Sequence, residues 1–126
     1  MREEIDAQIK FVQGMDSAEV QNLNAHDHPT FEEILNLAKG NHANFFARFQ
    51  QYYPSFQSNL LQINPNLQNS ELTLLAYIYL NFQTKEIAAY TFKSPKTIQN
   101  RKHLLRKKLR IASNEDIYVW LRAVCS

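Results

Sequence analysis

The chain has little of what makes turns: two glycines and four prolines in 126 residues. Hairpin signals are correspondingly few, which argues against an all-β sandwich, and no Pro/Gly-rich tract points to disorder. A single cysteine, Cys125, excludes an internal disulfide and leads us to expect a reducing, cytoplasmic setting. Long apolar runs are also missing. The longest covers residues 74–80, far short of the ~20 residues a bilayer requires. The opening Met1-Arg2-Glu3-Glu4 is charged with no apolar stretch behind it, so neither a secretory signal nor a membrane partner is expected. What the chain does have is an apolar fraction of 44%, enough for a core. No segment keeps up period-two alternation, so the expected fold is all-α.

Net charge is +2, but the two halves differ. Residues 1–66 carry four Lys/Arg against eight Asp/Glu, net −4, and residues 67–126 carry ten against four, net +6. Eight of those ten cations fall between Lys93 and Arg110, where there is no acidic residue. Such a run is either a solvated helix face or a surface for a polyanion. The motif around it has to decide.

Residues 2–21 read as helix, in one or two pieces, with Ile5, Ile9 and Val12 on a stripe. A loop around residues 24–29 follows. Thr30 opens a second helix with Glu33 in capping-box spacing, burying Phe31, Ile34, Leu35 and Ala38, and Gly40 is the expected stop. A third helix spans about residues 42–53 and ends at Pro54. A fourth spans 55–63. Their aromatic stripe, including Phe45, Phe49, Tyr53 and Phe56, is read as core rather than as a ligand cage. The next helix, from about residue 70 to 81, is apolar on almost every side and should be buried on more than one face. Residues 1–66, a helical extension, should therefore pack against residues 67–126 as one unit.

Two short helices come next. Thr84 is a suitable N-cap for residues 85–91, burying Ile87 and Ala88. After Phe92-Lys93, Ser94 caps a helix with Pro95 at its first position, where a missing N–H costs nothing. This spacing is helix-turn-helix geometry. At 100° per residue Ile98, Leu105 and Leu109 share one face. Lys96, Asn100, His103 and Lys107 lie opposite, with Gln99 beside them. Asn and Gln pair bidentately with adenine, and Lys and Arg neutralise phosphates.

Thr84-Lys85-Glu86-Ile87-Ala88, Ser94-Pro95-Lys96-Thr97-Ile98 and Arg106-Lys107-Lys108-Leu109 together resemble the LuxR/GerE signature, and Leu67 to Glu71 resembles its opening Leu-Thr-x-x-Glu, with Gln68 for Thr. The resemblance implies a C-terminal four-helix, tri-helical-core domain over residues 67–126. It also implies a recognition helix, about 95–109, in the major groove of double-stranded DNA. Gln99, Asn100 and His103 are then the base-reading residues. Thr84, Ser94, Lys96, Thr97, Arg101, Lys102, Arg106 and Lys107 meet the backbone. Two departures stand out. The family's usual Leu-Gly-Ile turn is Thr91-Phe92-Lys93 here, with Phe92 expected to swing inward, and its usual glycine before the first helix of the pair is Asn81.

The last segment, residues 113–124, opens with Ser113-x-x-Asp116 and carries Ile117, Trp120, Leu121 and Val124 on one stripe. Tyr118, Val119, Trp120 and Ala123 are the candidate dimer contacts, either alone or with the Ile5 stripe; the alternative is that they finish the monomer core. The family resemblance favours a homodimer, and contact with RNA polymerase is a further partner to consider. His26, Asp27 and His28 lack a third ligand of matching spacing, and no nucleophile–base pair, paired-carboxylate pattern or phosphate loop is present. No enzyme activity, cofactor or metal is expected. A sequence-specific transcriptional regulator is the leading expectation. The other is an adaptor that uses the same fold to dock an acidic partner.

Overall fold

The computed structural model describes residues 28–125. Among these it is entirely helical, with α1 (Phe31–Lys39), α2 (Phe45–Tyr52), α3 (Phe56–Ile63), α4 (Asn69–Tyr79), α5 (Thr84–Thr91), α6 (Pro95–Lys108) and α7 (Ile117–Cys125). No described helix is long and apolar enough to cross a membrane. The helix read over residues 2–21, the Ile5/Ile9/Val12 stripe and the pair His26 and Asp27 lie outside the described residues.

Glu32–Ser126 is a compact unit, and its core runs across residue 66 without a break. Ile34 and Ala38 of α1, Phe49 of α2 and Phe56 and Leu60 of α3 are buried in the same cluster as Leu75, Ile87, Leu105 and Leu121. α4 holds the cluster together. It packs against α2 and α7, and α7 also packs against α3. Leu72, Leu75, Ala76, Tyr77 and Ile78 are each at most 2% exposed, as expected for a helix apolar on almost every side. Aromatic residues of α2, α3 and the turn between them pack edge-on against one another and against α4. Phe49 and Phe56 centroids are 4.7 Å apart at 82°, and Tyr53 and Tyr79 are 5.0 Å apart at 88°. These are the arrangements in which ring edges face ring π-clouds. Tyr77 is buried yet satisfied, because its hydroxyl donates to the Ala38 carbonyl at 2.7 Å and so ties α4 to the end of α1. Burial pushes its pKa up to about 12. Phe31, expected in the core, is 43% exposed.

Several helix ends use a left-handed residue, and none of these is glycine. At the end of α1 the expected stop was Gly40. Gly40 instead still donates to Asn36 at 3.0 Å, and the chain reverses one residue later at Asn41, φ 49°. The Asn41 and His42 N–H groups then satisfy the Ala38 and Leu37 carbonyls at 3.1 and 3.0 Å, a Schellman closure. Asn81, φ 71°, closes α4 in the same way, with the Asn81 and Phe82 N–H groups donating to the Ile78 and Tyr77 carbonyls.

Candidate nucleic-acid interface

α5 and α6 pack on each other through Ile87 and Ala88 on one side and Ile98 and Leu105 on the other, each at most 2% exposed. The start of α5 differs from the expectation. Gln83, not Thr84, is the N-cap: its backbone is extended and its N–H donates to Glu86 Oε1 at 2.8 Å. Glu71 does the same for Gln68 at the start of α4, also at 2.8 Å. Both are the carboxylate half of a capping box, and the Gln-x-x-Glu spacing was visible at both places in the sequence. Thr84 is therefore the first helical residue, and its hydroxyl is left to accept from Lys102 Nζ at 3.0 Å.

The turn between the helices is tight. The Phe92 and Lys93 N–H groups both reach the Ala88 carbonyl, the latter at 2.9 Å. To make this turn Phe92 adopts φ 58°, ψ 40°. Its ring does not swing inward as expected but stands 84% exposed. The α5–α6 contact is closed without it: Ile87 and Ala88 are already 0% and 2% exposed while the Phe92 ring stands in solvent. The start of α6 is as expected. Ser94 Oγ accepts from the Thr97 N–H at 3.1 Å, with Thr97 Oγ1 2.9 Å away, and Pro95 occupies the first position. α6 closes at Arg110, φ 57°, where the Arg110 and Ile111 N–H groups satisfy Lys107 and Arg106.

Between these two turns Ile98, Leu105 and Leu109 face inward. Lys96, Gln99, Asn100, His103 and Lys107 are all exposed, and Thr97 is partly buried. The structure divides the eight cations. Lys93, Lys96, Arg101, Lys107 and Arg110 are exposed. Lys108 instead pairs with Glu71 at 2.9 Å, joining α6 to α4. Arg106 donates to the Ala112 carbonyl at 2.8 Å and so holds the loop before α7. Lys102 is turned inward. Its Nζ also reaches the Tyr118 hydroxyl at 3.3 Å and lies 4.7 Å from that ring's centroid. Burial, then the nearby Arg106, depresses its pKa, against the pull of Asp116. Gln99, Lys102, His103 and Arg106 line one wall of an open crevice of about 410 Å³, facing Thr84, Asp116 and Tyr118.

α7 starts later than expected, at Ile117 rather than near Ser113. The capping atom is Asp116 Oδ1, which accepts from the Tyr118 N–H at 2.7 Å; residues 113–115 form the preceding turn. Ile117 and Leu121 are buried. The four candidate dimer residues separate. Tyr118 is partly buried, with its hydroxyl donating to the Phe82 carbonyl at 2.6 Å and its pKa pushed up to about 12 by burial, then by Asp116 and Glu86. Trp120 is partly buried, Val119 is 57% exposed and Ala123 is exposed. Burial raises the Cys125 thiol to about 11. Among the described residues no three His, Cys, Asp or Glu side chains cluster as a metal site.

No family model, no curated protein and no solved structure matches the chain.

Proposed function

We propose that this chain is a sequence-specific DNA-binding transcriptional regulator, with α6 entering the major groove and no catalytic activity of its own. The likeness to the LuxR/GerE signature rests on the motif residues alone. One observation carries the reading. The helix following the tight turn buries only its Ile98/Leu105/Leu109 line and leaves Lys96, Gln99, Asn100, His103 and Lys107 in solvent. A helix of this kind fits the width of the groove and offers base-pairing and phosphate-neutralising groups on its outer face. Under this reading Gln99, Asn100 and His103 read bases, and Ser94, Lys96, Thr97, Arg101 and Lys107 follow the backbone. Thr84, Lys102 and Arg106 belong to the wall beside them. A homodimer on a two-fold site would use Val119, Ala123 and the edge of Trp120, and RNA polymerase is a natural further partner.

Leu104, 62% exposed on α6, favours a second reading, an adaptor docking an acidic protein. Selection of bound sequences from random duplexes with the purified chain tests the first. Five exposed cations meeting phosphates should give log K against log salt a slope of roughly −4 to −5. Asn100→Ala should cost about 1–3 kcal/mol on the selected site and relax one or two base pairs. Lys107→Ala should weaken every duplex alike and flatten the slope by about one. Uniform losses from both, or a flat salt dependence, favour the adaptor.

A further inference from the structure

Four described non-glycine residues sit in the left-handed region, and they fall into two kinds. Asn41 and Asn81 close α1 and α4, and asparagine tolerates this conformation. Phe92 and Arg110 close α5 and α6, and neither residue type does so readily. Both bracket α6, and both are exposed. Phe92 is the more telling of the two. Its backbone costs the fold stability, and its ring, 84% in solvent, returns little by packing. A strained backbone that also presents a bare aromatic ring points to a contact outside the chain.

The surroundings indicate which kind. Thr91 and Lys93 flank the ring, Ser94 and Lys96 follow, and no acidic residue lies between Lys93 and Arg110. The exposed apolar side chain of α6 itself, Leu104, is ten residues beyond Ser94, roughly 15 Å along the helix. The two therefore do not join into an apolar patch of the sort a protein partner covers. A single exposed ring in a stretch of chain that carries cations and no acid suits a polyanion that also carries apolar groups. On duplex DNA those groups are the deoxyribose carbons and the thymine methyl.

We propose that Phe92 is a DNA-contacting residue whose ring packs on deoxyribose or a thymine methyl at the edge of the site that α6 enters. This rests on the DNA-binding reading. It adds to that reading an apolar, salt-independent contact from the turn, separate from the polar face of α6.

The test uses the full chain with Phe92→Asn, which installs the residue this chain itself places at the ends of α1 and α4. Phe92→Gly serves as a second relaxed variant, and Phe92→Leu keeps apolar bulk. Each is melted and titrated against the selected duplex and, in parallel, against the same duplex with deoxyuridine replacing thymidine. Phe92→Asn and Phe92→Gly should melt at or above the wild-type temperature and bind about tenfold more weakly. Their salt slope should be unchanged, because losing an apolar contact releases no counterions, and Phe92→Leu should bind close to wild type. If deoxyuridine lowers wild-type affinity to the level of Phe92→Asn, the contact is the methyl; if it leaves wild type unaffected, the contact is deoxyribose. Wild-type affinity in Phe92→Asn and Phe92→Gly overturns the role of Phe92 while leaving duplex binding intact. Lower melting temperatures in both would make the ring structural and overturn it as well. Failure of the wild type to bind any duplex overturns both this inference and the reading beneath it.

Discussion

α4 and α6 are the two longest described helices, and the fold treats them oppositely. α4, eleven residues, buries Leu72, Leu74, Leu75, Ala76, Tyr77 and Ile78, so nearly its whole circumference is in the core. α6, fourteen residues, buries only Ile98 and Leu105 within its bounds. A helix buried on all sides has no side chain left for a partner, and its surroundings stabilise it. A helix attached along one narrow line contributes little to the core but offers most of its surface. Stability and recognition therefore sit on different helices, and substitutions should separate them.

The largest separation is expected at Leu75, which is fully buried. Leu75→Ala removes three heavy atoms from the middle of α4 and should cost about 2–5 kcal/mol, a large share of the roughly 5–15 kcal/mol typical of a domain. Asn100→Ala, on the exposed face of α6, should stay within about 0.5 kcal/mol of wild type in the same urea titration. A Leu75→Ala cost as small as that of Asn100→Ala would show that α4 does not hold the core.

The two helices are joined through Glu71, and a smaller, pH-dependent effect is expected there. Burial of the Glu71 carboxyl works to raise its pKa, but the Gln68 N–H and the Lys108 ammonium outweigh it and hold it below the ordinary 4.5. A carboxyl depressed in the folded state stabilises the fold above its unfolded-state pKa and loses that contribution as pH falls through the folded value. Glu71→Gln keeps an acceptor for Gln68 but loses the charge, so at pH 7 it should be less stable by about 1 kcal/mol. The gap between variant and wild type should then close as pH drops below about 4.5. A gap that is constant down to pH 3 would mean the charge contributes nothing.

Local patterns carried much of this fold. The Ile98/Leu105/Leu109 stripe, the Ser94 cap with Pro95 behind it, the break at Pro54 and the all-round burial of α4 each depend on residues within a few positions of one another, and each was readable from spacing. What could not be read depends on distant partners or on the choice between neighbouring residues. Lys102 appeared to be one more cation on a basic helix. It turns inward because Tyr118, sixteen residues on, arrives from α7 with its hydroxyl already fixed on Phe82. Tyr77 was indistinguishable from its apolar neighbours until Ala38, thirty-nine residues back, supplied an acceptor. Caps and stops shifted by one to three residues, from Thr84 to Gln83, Gly40 to Asn41 and Ser113 to Asp116, because several capable side chains stood side by side and the helix hydrogen bonds chose among them. Neither the left-handed backbone of Phe92 nor the exposure of its ring is encoded by periodicity.

That same backbone conformation gives the smallest effect, at the far end of α6. Arg110 holds φ 57° with an exposed side chain. Replacing it with glycine removes a strain of about 1–2 kcal/mol for an ordinary L-residue in the left-handed region. It also frees the unfolded chain, which offsets about 0.4–1 kcal/mol of that gain. Loss of a cation beside the negative end of the helix takes back a few tenths more, since that end favours positive charge. The net is a stabilisation of about 0.5 kcal/mol for Arg110→Gly, read as a higher urea midpoint at unchanged slope. Asn41→Gly should gain less, because asparagine starts with less strain in that region. The sign is what matters at Arg110. A loss of stability would mean that the guanidinium makes a contact that adds to the Lys108–Glu71 pair in holding the end of α6 to the core. A gain in stability together with a flattening of the duplex salt slope by about one would support Arg110, like Lys107, as one of the five phosphate-facing cations, on a helix whose exposed surface is kept for binding at the fold's expense.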